Sequence, residues 1–211
     1  MASEKQTSGP VMQLLASGLQ LWVRQQCQSV DSLDINLQGS ALGVLGGRLD
    51  GVQLLARRAV YQHLPIEQVQ LHSSAISVHR GNLLKGQPLQ LEQPFQVEGQ
   101  LSFTAEGLSC LFADPHWQWL VDLLAEQLFS TLHLRELRIE AEQLVFVLQG
   151  SQVGEQLELR LLVRAAAGTI ELASPAGETL LRLPMDPGIT IERAWITAGM
   201  LQLSGRARVS P

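Results

Sequence analysis

The chain has 211 residues, 45% of them hydrophobic and 17% charged, with a formal net charge of −5. That is too apolar for a disordered chain, and a folded chain of this length buries about 70% of its surface without needing disulfides or metals. The acidic balance, with no run rich in Lys or Arg, excludes a general nucleic-acid binder.

Residues 1–9 are polar and unpatterned and are expected to form a flexible tail. Residues 10–211 read as a single α+β domain. Val11, Leu15, Leu19, Trp22 and Val23 recur at helical spacing, and Pro10 fits a first turn. The period then becomes two: Leu33, Ile35 and Leu37 alternate with Asp34, Asn36 and Gln38. Five glycines between Gly39 and Gly51 mark a tight connection. Residues 52–64 resume a strand pattern that Pro65 is expected to end. Val69 to Val78, Leu89 to Leu91 and Phe95 to Phe103 continue in strands.

A second helix follows, with Asp114 as N-cap and Pro115 in the first position. Trp117, Leu120, Val121, Leu124, Leu128 and Leu132 form its apolar stripe, widened by Trp119, Leu123 and Phe129. Such a helix is either enclosed by a sheet or partly turned to a lipid-like ligand, and enclosure is the better fit. Leu137–Ile139, Leu144–Leu148, Leu157–Val163, Thr169–Ala173, Thr179–Leu183, Ile189–Ile196 and Leu201–Ser204 are further strands. The order helix, strands, helix, strands gives a weak helix-plus-meander repeat with halves at about 10–113 and 114–211. Within it, Phe95–Leu111 and Ile189–Leu203 each read as two strands, joined by Ala-Glu-Gly and Ala-Gly. Short connections imply antiparallel pairing. The expected fold is a long curved antiparallel β-sheet wrapping one or two α-helices.

A search for chemistry finds none of the usual nucleotide, hydrolase, zinc or redox motifs, so no catalytic residue, cofactor or metal site is expected. His72 and His79, the closest histidine pair, match no usual zinc spacing. Cys110, in Ser109-Cys-Leu-Phe, reads as a buried structural thiol. The carboxylates are scattered, and Glu140 and Glu142 lie close to Arg135 and Arg138, as on a solvated face. The longest run of large apolar residues, Leu144–Leu148, is far short of the ~20 residues of a membrane span. The N-terminus lacks the basic region and apolar core of an export signal, so a cytoplasmic protein is expected.

Several stretches carry a resemblance. Leu33-Asp-Ile-Asn-Leu-Gln-Gly39, Gly47-Arg-Leu-Asp-Gly-Val-Gln-Leu54 and Ala59-Val-Tyr-Gln62 are similar to the LmeA-like phospholipid-binding family, in its cyanobacterial-type branch. Ile76-Ser-Val-His-Arg-Gly-Asn-Leu-Leu-Lys-Gly-Gln-Pro-Leu89, Pro94-Phe-Gln-Val-Glu-Gly99 and the helix from Trp117 to Leu132 extend the similarity over about residues 10–150. The resemblance implies a fold akin to tubular lipid-binding domains and an apolar groove for phospholipid. Groove residues would come from the helical stripes: Leu15, Leu19, Trp22, Trp117, Leu120, Leu124 and Leu128. Rim arginines Arg48, Arg57, Arg58 and Arg80 are head-group candidates, because guanidinium pairs bidentately with phosphate. The expected partner is a phospholipid or other amphipathic lipid, with peripheral contact to the cytoplasmic face of a membrane and no nucleic acid. A scaffold that meets another protein through an apolar surface is the alternative, and a lipid-modifying enzyme a third reading.

Overall fold

A computed structural model describes residues 10–77, 91–129, 132–150 and 156–211. Helix α1 (Pro10–Gln26) passes without a loop into strand β1 (Cys27–Gln38). A short helix α2 (Ala41–Leu45) and strand β2 (Arg48–Leu49) lead to β3 (Gly51–Tyr61), β4 (Leu64–Ser73) and β5 (Ile76–Ser77). Strand β6 (Phe95–Thr104) runs into α3 (Ala105–Ala113). A 3-10 turn (Pro115–Trp117), α4 (Gln118–Leu124) and a π-helical stretch (Ala125–Phe129) follow. A meander then runs through β7 (His133–Glu140), β8 (Gln143–Gln149), β9 (Gln156–Ala166), β10 (Thr169–Ala173) and β11 (Thr179–Arg182). The strands β12 (Ile189–Thr197) and β13 (Met200–Val209) complete the described chain.

The antiparallel α+β class is as expected. The strands divide between two open sheets, where one curved sheet around the helices was expected. The first has six strands in the order β1-β3-β4-β6-β13-β12, and the second has five in the order β11-β10-β9-β8-β7. A small ribbon pairs β2 with β5. The first sheet crosses the boundary between the expected halves, because β12 and β13 return to pair with β6. The sheets meet where Ile191 N–H of β12 donates to the Gly168 carbonyl in the β9–β10 turn, at 2.8 Å.

Local chemistry accounts for most of these elements. Four hairpins turn on residue pairs with positive φ: Gln62-His63, Ala141-Glu142, Ala167-Gly168 and Ala198-Gly199. Two such residues match the right-handed twist of the strands they join. Pro65 does not end a strand but lies inside β4, opposite Val60 of β3. On its other side β4 pairs with β6 only from Gln68 to Ser73, so the missing N–H falls where β4 has one neighbour. Ala105-Glu-Gly is likewise not a strand connection. It opens α3, because the Thr104 hydroxyl caps the Gly107 N–H at 3.0 Å. Asp114 caps as expected, accepting from the His116 N–H at 2.8 Å, but the helix it starts is broken into 3-10, α and π turns. Cys110 is exposed, a correction to the buried-thiol reading, because its neighbour Leu111 takes the core-facing position of α3.

Both sheets and the helices share one core. Met12 of α1, Leu33, Ile35 and Leu37 of β1, Phe103 of β6, Leu124 of α4, Phe129, Phe146 and Leu148 of β8, and Leu201 and Leu203 of β13 belong to the same buried cluster. In β1 burial alternates strictly over this stretch, with Asp34 and Asn36 exposed between Leu33, Ile35 and Leu37. The first sheet therefore has an apolar inner face and a polar outer face.

Candidate functional site

Strand register assembles the outer face of the first sheet into rows. One row runs Asp34–Leu55–Gln70–Gln100–Ser204, and the next runs Asn36–Gln53–His72–Glu98–Arg206. Between them lies Ile35–Leu54–Leu71–Gly99–Gly205, whose side chains belong to the inner face. The two polar rows thus stand as walls over a backbone floor. The result is an open trough of about 760 Å³, closed at its ends by Gln20 of α1 and Glu192 of β12. Gln20 is set there because its amide donates to the Leu33 carbonyl on the outer edge of β1, at 3.5 Å.

The trough is built for hydrogen bonding. Gln20, Asn36, Gln53, Gln70 and Gln100 each carry an amide that donates and accepts, and Ser204 adds a hydroxyl. Leu55 is the large apolar side chain on the outer-face rows, and Ile35, Leu54 and Leu71 line the floor between them. Its formal charges are carboxylates: Asp34, Glu98 and Glu192, the last paired with Arg206 at 2.6 Å. Arg206, at the end of the second row, is engaged by Glu192, and among the described residues no Lys or Arg is left facing into the trough. These wall residues lie at the polar positions of alternating strands. Apart from His72, weighed only as half of a histidine pair, none of them stands out in the sequence, since strands far apart in the chain supply neighbouring wall positions.

The expected groove residues sit elsewhere. Leu15, Leu19, Leu120 and Leu128 are half-buried and pack against the core. Leu124 is only 2% exposed and belongs to the core itself, whereas Trp22 is 57% exposed on α1. Trp117 is half-buried, with an indole N–H that has no acceptor among the described residues. Among the arginines, Arg48 and Arg57 are exposed with no ion-pair partner among the described residues. Arg58 is held by Asp31 at 2.6 Å, and Arg80 lies outside the described residues.

Three charged clusters stand apart from the trough. On the outer face of the second sheet, Arg138 and Arg160 each pair with both Glu140 and Glu158, at 2.5–3.1 Å, closing a ring of four. Hydrogen bonds from Arg138 and then Arg160 hold the Glu158 carboxyl below its ordinary range. Glu171, 1% exposed, accepts from Arg182 at 2.5 Å and from Arg164 at 3.0 Å, with the Thr179 hydroxyl nearby. The Arg182 hydrogen bond is the main cause of its lowered pKa. Asp114 is also held low, first by the His116 N–H and then by His63, whose Nδ1 lies 3.0 Å away. Among the described residues no three His, Cys, Asp or Glu side chains are grouped as a metal site, and no helix is long and apolar enough to cross a membrane.

Compared with known proteins, the chain matches the model of a family described as LmeA-like phospholipid-binding over residues 7–206. The match is to the family as a whole and singles out no branch. No curated protein and no solved structure matches the chain.

Proposed function

The chain belongs to the LmeA-like phospholipid-binding family, and from that premise we propose that it binds or transfers a phospholipid or similar amphipathic lipid while peripheral to the cytoplasmic face of a membrane. The family match, spanning residues 7–206, is the observation that carries this reading.

In this reading the acyl chains lie along the apolar helix faces. Leu15 and Leu19 of α1 and Leu120 and Leu128 beyond the second cap are half-buried at the margin of the core. They offer apolar contact without the core being opened, with Trp117 at the margin. Leu124 supports this surface from beneath. Each acyl CH₂ covered there is worth about 0.8 kcal/mol, so about ten offset much of the cost of leaving a bilayer. Of the candidate head-group arginines, Arg48 and Arg57 have guanidinium groups without a partner among the described residues, open to a phosphate. The trough, lined by amides and carboxylates, suits the uncharged polar part of a head group better than the phosphate itself.

The chain holds lipid and does not convert it. What supports this is the family's description as phospholipid-binding, together with two of the most closely set carboxylates, Glu158 and Glu171, each of which is bound to two arginines that favour its charged form.

The test is native mass spectrometry of the full chain purified from its own source, followed by organic extraction. A stoichiometric phospholipid is expected. A folded protein with a clean lipid-free mass, and no uptake from added liposomes, would overturn the reading. Weight would then move to a protein-binding role through exposed Leu21, Trp22 and Leu42.

A further inference from the structure

Two segments 51 residues apart meet at one end of the first sheet. One is the β3–β4 turn, with Tyr61 before it and His63 in it. The other runs from Asp114 to Trp119. The His63 and His116 rings stack at 5.1 Å with their planes 19° apart. His116 sets its edge toward Trp117 at 6.0 Å, and Trp117 lies 5.9 Å from Trp119. The result is a continuous strip of four rings from His63 to Trp119, whose last ring is 48% exposed; Tyr61, 43% exposed, precedes the same turn as His63.

The strip carries few charged groups among the described residues. Its one carboxylate, Asp114, sits between the His63 ring and the His116 N–H, and no Lys or Arg belongs to it. The second sheet presents the opposite kind of surface, laced with arginine–glutamate pairs. A band of amphipathic rings that carries one carboxylate and no Lys or Arg among the described residues complements an amphipathic partner with no net charge. On a chain of net charge −5, attraction to an anionic surface is not available as a substitute. Trp and Tyr rings, apolar in body and polar at one edge, favour the region between head groups and acyl chains. The contacts from His63 to Trp119 hold those four rings in place beforehand, so little order is lost when they are covered.

We propose that the strip His63–His116–Trp117–Trp119, with the exposed Tyr61 before the same turn, is the edge by which the chain lies on a zwitterionic phospholipid bilayer. This rests on the lipid-binding reading above and adds where contact is made. The exposed pair Leu21 and Trp22 on α1 is the rival surface, and it makes no ring contact among the described residues.

The experiment is co-sedimentation of the full chain with phosphatidylcholine vesicles at low and high salt. It compares the wild type with Tyr61→Ala/Trp119→Ala and with Leu21→Ala/Trp22→Ala. Circular dichroism verifies folding, and native mass spectrometry follows uptake of a short-chain phosphatidylcholine. The first double variant is expected to partition about tenfold less at either salt and still take up the monomeric lipid. The second is expected to partition like the wild type. The proposal is overturned if the first variant sediments normally, if the second does not sediment, or if the wild type ignores vesicles while carrying monomeric lipid. A chain that takes up no monomeric lipid, yet needs Tyr61 and Trp119 to sediment, supports the edge and removes the carrier reading.

Discussion

Glu171 is a glutamate almost wholly withdrawn from water, in a sheet position where a hydrophobic residue would be unremarked. Two guanidinium groups and a hydroxyl satisfy it, so the charged form is the stable one. Glu171→Gln keeps the shape, loses the charge and turns an amide donor toward arginines that have nothing to accept with. The variant is expected to melt several degrees lower than the wild type. The pH dependence has a definite sign. A carboxyl whose folded pKa lies below its unfolded value stabilises fully above the unfolded pKa and loses that contribution as pH falls through the folded one. Melting curves taken from about pH 6 to about pH 3 should therefore fall less steeply for Glu171→Gln than for the wild type. Equal slopes would remove Glu171 from the acid response. Sequence analysis placed carboxylates on solvated faces, and nothing local to Thr169–Ala173 says otherwise. The burial comes from Arg164 and Arg182, delivered by strands on either side.

At the level of elements, alternation was the legible signal. Strands β1 and β13 follow the two-residue period, β8 is instead a continuous apolar run buried on both faces, and Ala198-Gly199 is readable as a turn. The elements misread depend on a single side-chain hydrogen bond or on pairing partners. α3 hangs on Thr104 as a cap, and Pro65 is tolerated because of where β6 stops. Two glycines facing each other across β6 and β13 show how differently neighbours limit a position. A Cβ at Gly205 would lie 2.3 Å from the Thr190 carbonyl oxygen, which is backbone. At Gly99 it would lie 2.7 Å from a terminal methyl of Leu71, which can swing aside. Gly205→Ala is expected to cost about 3 kcal/mol or more in urea denaturation, and Gly99→Ala about 1 kcal/mol. The reverse order would mean that β12 yields more readily than the Leu71 side chain. β12 already shifts register between Ile191 and Arg193, beside the Gly205 contact, so a further push there has little slack to use.

For the whole molecule, the decisive contact is the return of β13 to β6. It places Ile191, Ile196, Leu201 and Leu203 in the core shared with α1 and β1. It also brings Ser204 and Glu192 into the trough beside residues of β1, β3 and β4. The trough was therefore illegible in the sequence. Its glutamines stand at ordinary polar strand positions, and only the pairing order makes them neighbours. A chain cut after Pro187 should lose its cooperative melt and elute as aggregate in size-exclusion chromatography, because β6 gains an open edge and the core loses those four residues. A compact, cooperatively melting product would instead make the two sheets separable domains.

The β6–β13 pairing also sets a clock. Gln100 and Gln202, hydrogen-bonded across these strands, are 102 residues apart. Loop closure over that distance must come before its reward, which slows folding. During synthesis at about 5–20 residues per second, β6 waits at least several seconds for its neighbour. Through that interval an apolar sheet face and an unpaired edge are open to whatever is nearby. The nascent chain is thus the form most in need of a chaperone, and β6 is the segment that such a chaperone would have to shield.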